Sequence, residues 1–254
     1  MKKRAFGRSS LSVSPLIFGG NVFGWTLDEK ASFTLLDGVV DAGINMIDTA
    51  NVYSAWVTGN QGGESETIIG NWLQKSGKRK EVLIATKVGM EMGDGTKGLS
   101  KANILRSAEA SLKRLKTDYI DVYYAHADDE ETPIEESLSA FEQLINEGKV
   151  GTVASSNYSA QRLSQALDSA KQHGLPQFIA HQPEYNLFDR KGYEDGLDEV
   201  CQQYGLGVVT YFSLASGFLT GKYRTAEDLA ASQRGEDFIA KYMTDRGMKI
   251  LDVL

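Results

Sequence analysis

Cysteine is nearly missing from this chain of 254 residues; Cys201 is the only one. That excludes a disulfide framework and a thiolate metal cluster. Cys201 falls between Val200 and Gln202 in a helical pattern, which suits a small buried hydrophobe better than a nucleophile. Long apolar runs are missing as well. No stretch approaches the roughly twenty apolar residues of a membrane span, and Met1-Lys2-Lys3-Arg4 leads into Ala5-Phe6-Gly7-Arg8 rather than into an apolar leader. A soluble cytoplasmic protein is the expectation. Excess positive charge is lacking too: the formal net charge is −7, which argues against nucleic acid or an anionic membrane as the main partner. Finally, no Gly-x-Gly-x-x-Gly follows the first apolar run, so the dinucleotide fingerprint of the open doubly wound sheet is absent.

What is present is a repeated unit: an apolar run, a polar loop, an amphipathic stretch and a turn. A short hairpin is expected over residues 4–18, turning at Gly7-Arg8-Ser9-Ser10. Strands are expected near 16–19, 44–48, 82–87, 120–126, 150–155, 178–182 and 207–212. Helices are expected at 29–42, 65–76, 101–115, 134–147, 159–173, 193–204 and 236–253. Ser65, Ser100 and Ser159 read as N-caps, Thr132-Pro133 as a cap with proline at the first helical position, and Gly148, Gly174 and Gly205 as helix ends. Runs such as Val82-Leu83-Ile84-Ala85 are apolar nearly throughout, as parallel strands covered on both faces are. Strict alternation permits a (β/α)8 barrel or an open sheet, and the missing fingerprint favours the barrel. One domain over 1–254 is expected, with no eighth strand or last helix in the pattern after Tyr211. A barrel short of a strand leaves an exposed parallel edge. The expectation is therefore a C-terminally incomplete barrel, whose polypeptide would be poorly stable if it truly ended at Leu254.

Four of the apolar runs lead to a group that can carry chemistry: Asp48, with Tyr53 just beyond it, then Lys87, His126 and Tyr211. If the strands are parallel neighbours, these groups converge at one end of the barrel. A tyrosine beside a lysine and an aspartate makes a proton donor, because a nearby ammonium favours the phenolate and lowers the phenol pKa. The aspartate keeps the lysine charged and aimed, and a histidine can hydrogen-bond a carbonyl oxygen. His181 alternates with Gln182 and is expected on the opposite strand face, while His173 ends a helix. Neither is a metal-ligand candidate. The run Asp128-Asp129-Glu130-Glu131 reads as a solvated loop.

Asp-Thr-Ala-x-x-Tyr at 48–53, Gly-x-Ser-Glu at 63–66, Thr-Lys at 86–87 and Tyr-x-His at 124–126 resemble the aldo-keto reductases. So do Ser-Asn at 156–157, Gln-x-x-Tyr-Asn at 182–186 and Leu-Thr-Gly-Lys-Tyr at 219–223, so that the resemblance covers nearly the whole chain in order. It implies a (β/α)8 barrel that transfers hydride from NADPH to an aldehyde or ketone without metal. Tyr53 would be the general acid, Asp48 and Lys87 would tune it, and His126 would orient the substrate. On the cofactor side the resemblance implies that Ser156, Asn157 and Gln182 hold the nicotinamide carboxamide and that Tyr211 stacks on its ring. Ser213, Leu214, Gly217 and Lys222 would follow the pyrophosphate. Trp25 and Trp56 are expected at the substrate pocket, favouring an apolar or aromatic carbonyl. The departure from the family is the C-terminus, where much of the adenosine 2′-phosphate pocket is expected, so the preference for NADP over NAD rests on family habit. Two other readings stand beside the reductase. One is a nucleotide-sensing regulatory subunit resembling the potassium-channel β-subunits, and the other an aldolase-like barrel using Lys87 as a Schiff-base amine. The oligomeric state is not legible.

Overall fold

A computed structural model of the chain describes residues 1–230 and 238–254. A hairpin of β1 (Arg4–Ala5) and β2 (Ser12–Val13) precedes a seven-stranded parallel sheet. Its strands are β3 (Phe18–Gly19), β4 (Met46–Asp48), β5 (Leu83–Val88), β6 (Ile120–Ala125), β7 (Val150–Ser156), β8 (Ala180–Gln182) and β9 (Gly207–Val208). They pair in sequence order, each with the next. Helices α1 (Glu29–Asp41), α2 (Glu64–Ser76), α3 (Lys101–Leu115), α4 (Ile134–Asn146) and α5 (Ala160–His173) fill the first five crossovers. The short α6 (Lys191–Glu194) and α7 (Leu197–Gln203) share the sixth, and α8 (Ala226–Ala230) and α9 (Asp245–Val253) follow β9.

The sheet is curled into a half-barrel, consistent with the (β/α)8 architecture. Side chains show the curl directly. Neighbouring strands lie about 4.8 Å apart, so β4 and β8 would be about 19 Å apart in a flat sheet; instead Gln182 Nε2 donates to Asp48 Oδ1 at 3.3 Å.

Strand alternation divides the core in two. Met46, Ala85, Val122, Tyr124, Ala154 and Ala180 face inward and meet Phe6 and Val13 of the hairpin, which fills the end of the barrel opposite the polar groups. Ile47, Ile84, Val88, Tyr123 and Val153 face outward onto Trp72, Leu112, Phe141 and Leu163 of the helices. Full burial of one such side chain contributes about 1.5–3 kcal/mol, so this outer layer dominates stability. Gly7 sits in the hairpin turn at φ +56°, where a side chain would run into the Ile179 carbonyl; the turn lies directly on the chain entering β8. A third cluster, with Phe218, Leu219, Ile239, Tyr242 and Leu251, lies beyond β9.

Several local expectations are corrected. The helix expected over 193–204 is two, divided at Gly196, whose φ of 93° no helical residue adopts. The strand expected over 207–212 stops at Val208, and Phe212 turns into the left-handed region at φ 51°. Ser65 is not a cap. Gly63 begins α2, and Ser65 is buried inside it, where its Oγ donates to the Gly20 carbonyl at 2.7 Å. Pro133 itself precedes α4 without a side-chain cap, and Thr132 Oγ1 donates to Asp129 at 2.7 Å. Asp128 is not simply solvated, since Arg162 grips it through two hydrogen bonds of 2.7 and 2.9 Å. Of the helix expected over 236–253, residues 236 and 237 lie outside the described residues. The rest is interrupted at Met243–Thr244, where Thr244 caps α9 by accepting from Gly247 N. Ser100 and Ser159 cap α3 and α5 as expected.

Candidate active site

The inward positions change character near the carboxyl ends of the strands. Below are Met46, Ala85, Val122 and Ala154; above are Asp48, Lys87, His126, Ser156 and Gln182. Lys87 is the centre of this polar layer and is fully buried. Its Nζ donates to Asp48 Oδ2 at 2.5 Å, to the Thr49 carbonyl at 2.8 Å and to the Tyr53 hydroxyl oxygen at 2.9 Å. An ammonium has three donors, and all three are used.

The surrounding chain holds these partners in place. Asp48 and Thr49 are the last residues of β4 and the first beyond it. The Asp48 carbonyl accepts from Gly20 N at 2.7 Å, and Thr49 N donates to the Ala85 carbonyl at 2.8 Å. Thr49 Oγ1 lies 2.8 Å from Ser65 Oγ. Because Ser65 gives its proton to the Gly20 carbonyl, Thr49 is the donor of that pair. Tyr53 stands on a tight turn pinned by Ser54, at φ 73°, whose hydroxyl donates to the Phe23 carbonyl at 2.7 Å. Behind β5 the fully buried Glu66 accepts from Thr86 Oγ1 at 2.5 Å and from Arg114 Nε at 2.7 Å. The Gly-x-Ser-Glu stretch at 63–66 thus fixes the chain on both sides of Lys87. From sequence Ser65 was given only the role of a helix cap, and Thr49 and Glu66 none, although their motifs were visible.

Electrostatics departs from expectation at Tyr53. Burial raises its pKa above that of a free phenol, and Asp48 adds to this; Lys87 pulls the other way without overcoming them. The phenol is therefore protonated at neutral pH. Burial also opposes the charge on Lys87, but Asp48 and then Tyr53 outweigh it, so its pKa is raised and the ammonium persists. His126 is held well below its ordinary value, first by burial and then by the Lys87 charge, so it is neutral. Its ring lies 6.0 Å from that of Tyr53, centroid to centroid. His126 Nδ1 is buried with no hydrogen-bond partner among the described residues. An orphan acceptor is tolerated more readily than an orphan N–H, which places the proton on Nε2.

A second group borders the first. Ser156 Oγ donates to the Gln182 carbonyl at 2.8 Å, and Asn157 Nδ2 donates to Ser156 Oγ at 3.0 Å and to the His126 carbonyl at 2.9 Å. Asn157 is left-handed at φ 56°, a conformation asparagine accepts better than most residues. The half-buried Tyr211 donates its hydroxyl to Asn157 Oδ1 at 2.8 Å, and burial pushes its pKa up to about 12. Past Tyr211 the backbone is left-handed at Phe212, Ala215, Ser216 and Gly217. Ser213 and the exposed Leu214 lie within this turn, and Ser213 Oγ is 2.9 Å from Thr210 Oγ1. Lys222 Nζ sits 4.9 Å from the Tyr223 ring centroid and close over Gly217.

Trp56 stands 6.2 Å from the Tyr53 ring, and Trp25 is 5.7 Å from Trp56. His181 lies on the helix side, as alternation requires, with Nδ1 2.9 Å from Ser155 Oγ. Burial lowers its pKa to about 4.

An acid, an ammonium, a phenol and an imidazole thus meet at the mouth of the parallel half-barrel. Residues 15–253 match the Aldo/keto reductase family, and the chain belongs to it. Over 249 residues it is 36% identical to an uncharacterized oxidoreductase, YrpG, of Bacillus subtilis, covering 95% of this chain and 75% of that protein. Over 226 residues it is 40% identical to a probable voltage-gated potassium channel subunit beta of Oryza sativa subsp. japonica and 38% identical to one of Arabidopsis thaliana. Each of those two alignments covers 88% of this chain and 67% of the relative.

Proposed function

We propose that this chain reduces an aldehyde or ketone with NADPH, and that Tyr53 is the general acid. The observation that carries this is the saturated ammonium of Lys87. Tyr53 accepts from Lys87 and so keeps its own proton to give, and the ring of the neutral His126 stands 6.0 Å from its ring. A carbonyl oxygen held between them receives a hydrogen bond from His126 Nε2 and a proton from Tyr53. The phenolate left behind keeps its contact with Lys87, whose charge stabilises it without moving. NADPH supplies the hydride when bound.

The residues fit such a cofactor chemically. Ser156, Asn157 and Gln182 offer hydroxyl and amide groups at neighbouring strand ends, suited to a carboxamide, and Tyr211 offers a half-buried ring beside them. Lys222, whose Nζ lies over the left-handed turn at Ala215–Gly217, offers a cation suited to the pyrophosphate. Family members generally use NAD(P)H; NADPH over NADH rests on family habit.

The test is NADPH oxidation followed at 340 nm over a panel of aldehydes. Turnover that depends on the aldehyde supports the reading, and tight NADPH binding with hardly any turnover on the panel would refute it. That outcome would favour the second reading, a nucleotide-responsive regulatory subunit, which is motivated by the two relatives named as potassium channel β-subunits.

A further inference from the structure

The rings above Tyr53 continue past the two tryptophans. Phe238, in the segment after β9, has its ring 5.7 Å from that of Trp25 at an interplanar angle of 44°. Trp25 meets Trp56 edge-on at 5.7 Å and 89°, and Trp56 meets Tyr53 at 6.2 Å and 65°. Trp25 follows β3 and Phe238 follows β9, the two edge strands of the sheet. Their contact therefore spans the open side of the half-barrel and continues as a file of rings to the ring of Tyr53.

Phe238 is held there by its neighbours. Ile239 is fully buried in the third apolar cluster. Lys241 Nζ donates to Glu184 Oε1 at 2.9 Å and lies 3.2 Å from Asp189 Oδ2. Tyr242, also buried, donates its hydroxyl to Asp189 Oδ2 at 2.9 Å. At the other end of the file, Trp56 remains 45% exposed, an indole whose apolar surface is left for something else to cover. Aromatic pairs prefer edge-to-face or offset arrangements with centroids some 4.5–7 Å apart. The angles here present both faces and edges to whatever enters.

We propose that Phe238 is a specificity-determining residue: with Trp25 and Trp56 it forms an aromatic clasp that selects a flat aryl carbonyl over a small aliphatic one. This rests on Tyr53 being the acid, because the clasp then grips the body of the substrate while the carbonyl lies at the phenol. The two ideas fail separately.

The experiment compares benzaldehyde with propanal as probes, in the wild type and in Phe238→Leu, by NADPH oxidation and by ligand-observed NMR titration of each aldehyde. For Phe238→Leu the expected result is a drop of about three- to tenfold in kcat/KM for benzaldehyde, the size of one aromatic contact, with propanal unchanged. Benzaldehyde affinity should fall by the same factor. An unchanged ratio in a folded Phe238→Leu protein overturns the proposal. If that variant does not fold, Phe238→Met, similar in volume but without a ring, takes its place under the same criteria. If the wild type turns over neither aldehyde, the reading of Tyr53 fails and the titration alone decides Phe238. A matching loss of benzaldehyde affinity then supports the clasp; equal affinity, or no wild-type binding at millimolar benzaldehyde, overturns it.

Discussion

Two ion-pair sites in this chain each join a lysine to a carboxylate, to opposite ends. Lys87 and Asp48 are buried on the strands, at 0% and 9% side-chain exposure. Lys241 and Glu184, tying the segment after β9 to the loop after β8, are 51% and 29% exposed. A charge enclosed in protein is costly unless its partner is present, so the first pair is all-or-none. A pair in contact with water contributes between nothing and about 1 kcal/mol. The proposed chemistry thus stands on the part of the molecule that cannot shift cheaply, and ligand recognition on the part that can.

The largest effect is expected at the buried site. Tyr53→Phe should lose about 10²–10⁴ in turnover, as removal of a general acid does, while NADPH affinity is unchanged. Near-normal reduction of a good aldehyde by this variant would end the assignment. Next, Asp48→Asn removes the counter-charge of Lys87 and should cost about 3–5 kcal/mol in urea unfolding. A loss under about 1 kcal/mol would place the pair with ordinary surface bridges and erase the contrast.

Protonation gives the third test. Unfolded His181 takes up its proton near pH 6.5, whereas folded His181 resists until about 4. Its contribution is full above pH 6.5 and is lost as the pH falls toward 4, a total of about 3 kcal/mol. His126 is depressed in the same direction. Thermal melts from pH 7 to 4 should show the decline, and His181→Asn should flatten it; equal slopes would contradict it.

At the outer region the effects shrink. Tyr211→Ala should weaken NADPH binding by about 1–1.5 kcal/mol through loss of the ring. Tyr211→Phe loses only the hydrogen bond to Asn157, about 0.5–1.5 kcal/mol at most. Fluorescence titrations that rank Phe below Ala would reverse the roles of ring and hydroxyl. Smallest of all, Lys241→Met should change stability by less than about 1 kcal/mol.

The same division explains what could be read beforehand. The interior strands were legible because each is an apolar run, and α3 because Ser100 caps an amphipathic stretch ending at Leu115. Asp48, Lys87 and His126 could be placed at strand ends because a strand's two-residue alternation carries side-chain direction with it. Beyond β8 that regularity stops. Phe212 leaves the extended region, Gly196 breaks a helix that hydrophobic spacing would continue, and Phe238 falls in a stretch whose pattern suggested an unbroken helix. The direction of the Tyr53 shift was also hidden. A lysine beside a tyrosine is visible in the motifs, but the enclosure that outweighs it is a property of the assembled barrel.

The triply bound ammonium of Lys87 also governs the residue's own reactivity. An amine attacks a carbonyl, an acid anhydride or cyanate only through a free lone pair, and this nitrogen is kept protonated, enclosed and engaged on all sides. Lys87 should therefore form no imine with an aldehyde, unlike the amine of an aldolase. In the folded protein it should be spared by acetic anhydride and cyanate while exposed amines such as Lys191 are modified. Peptide mapping after brief labelling would read that protection, and labelling of Lys87 would then mark the opening of the barrel mouth.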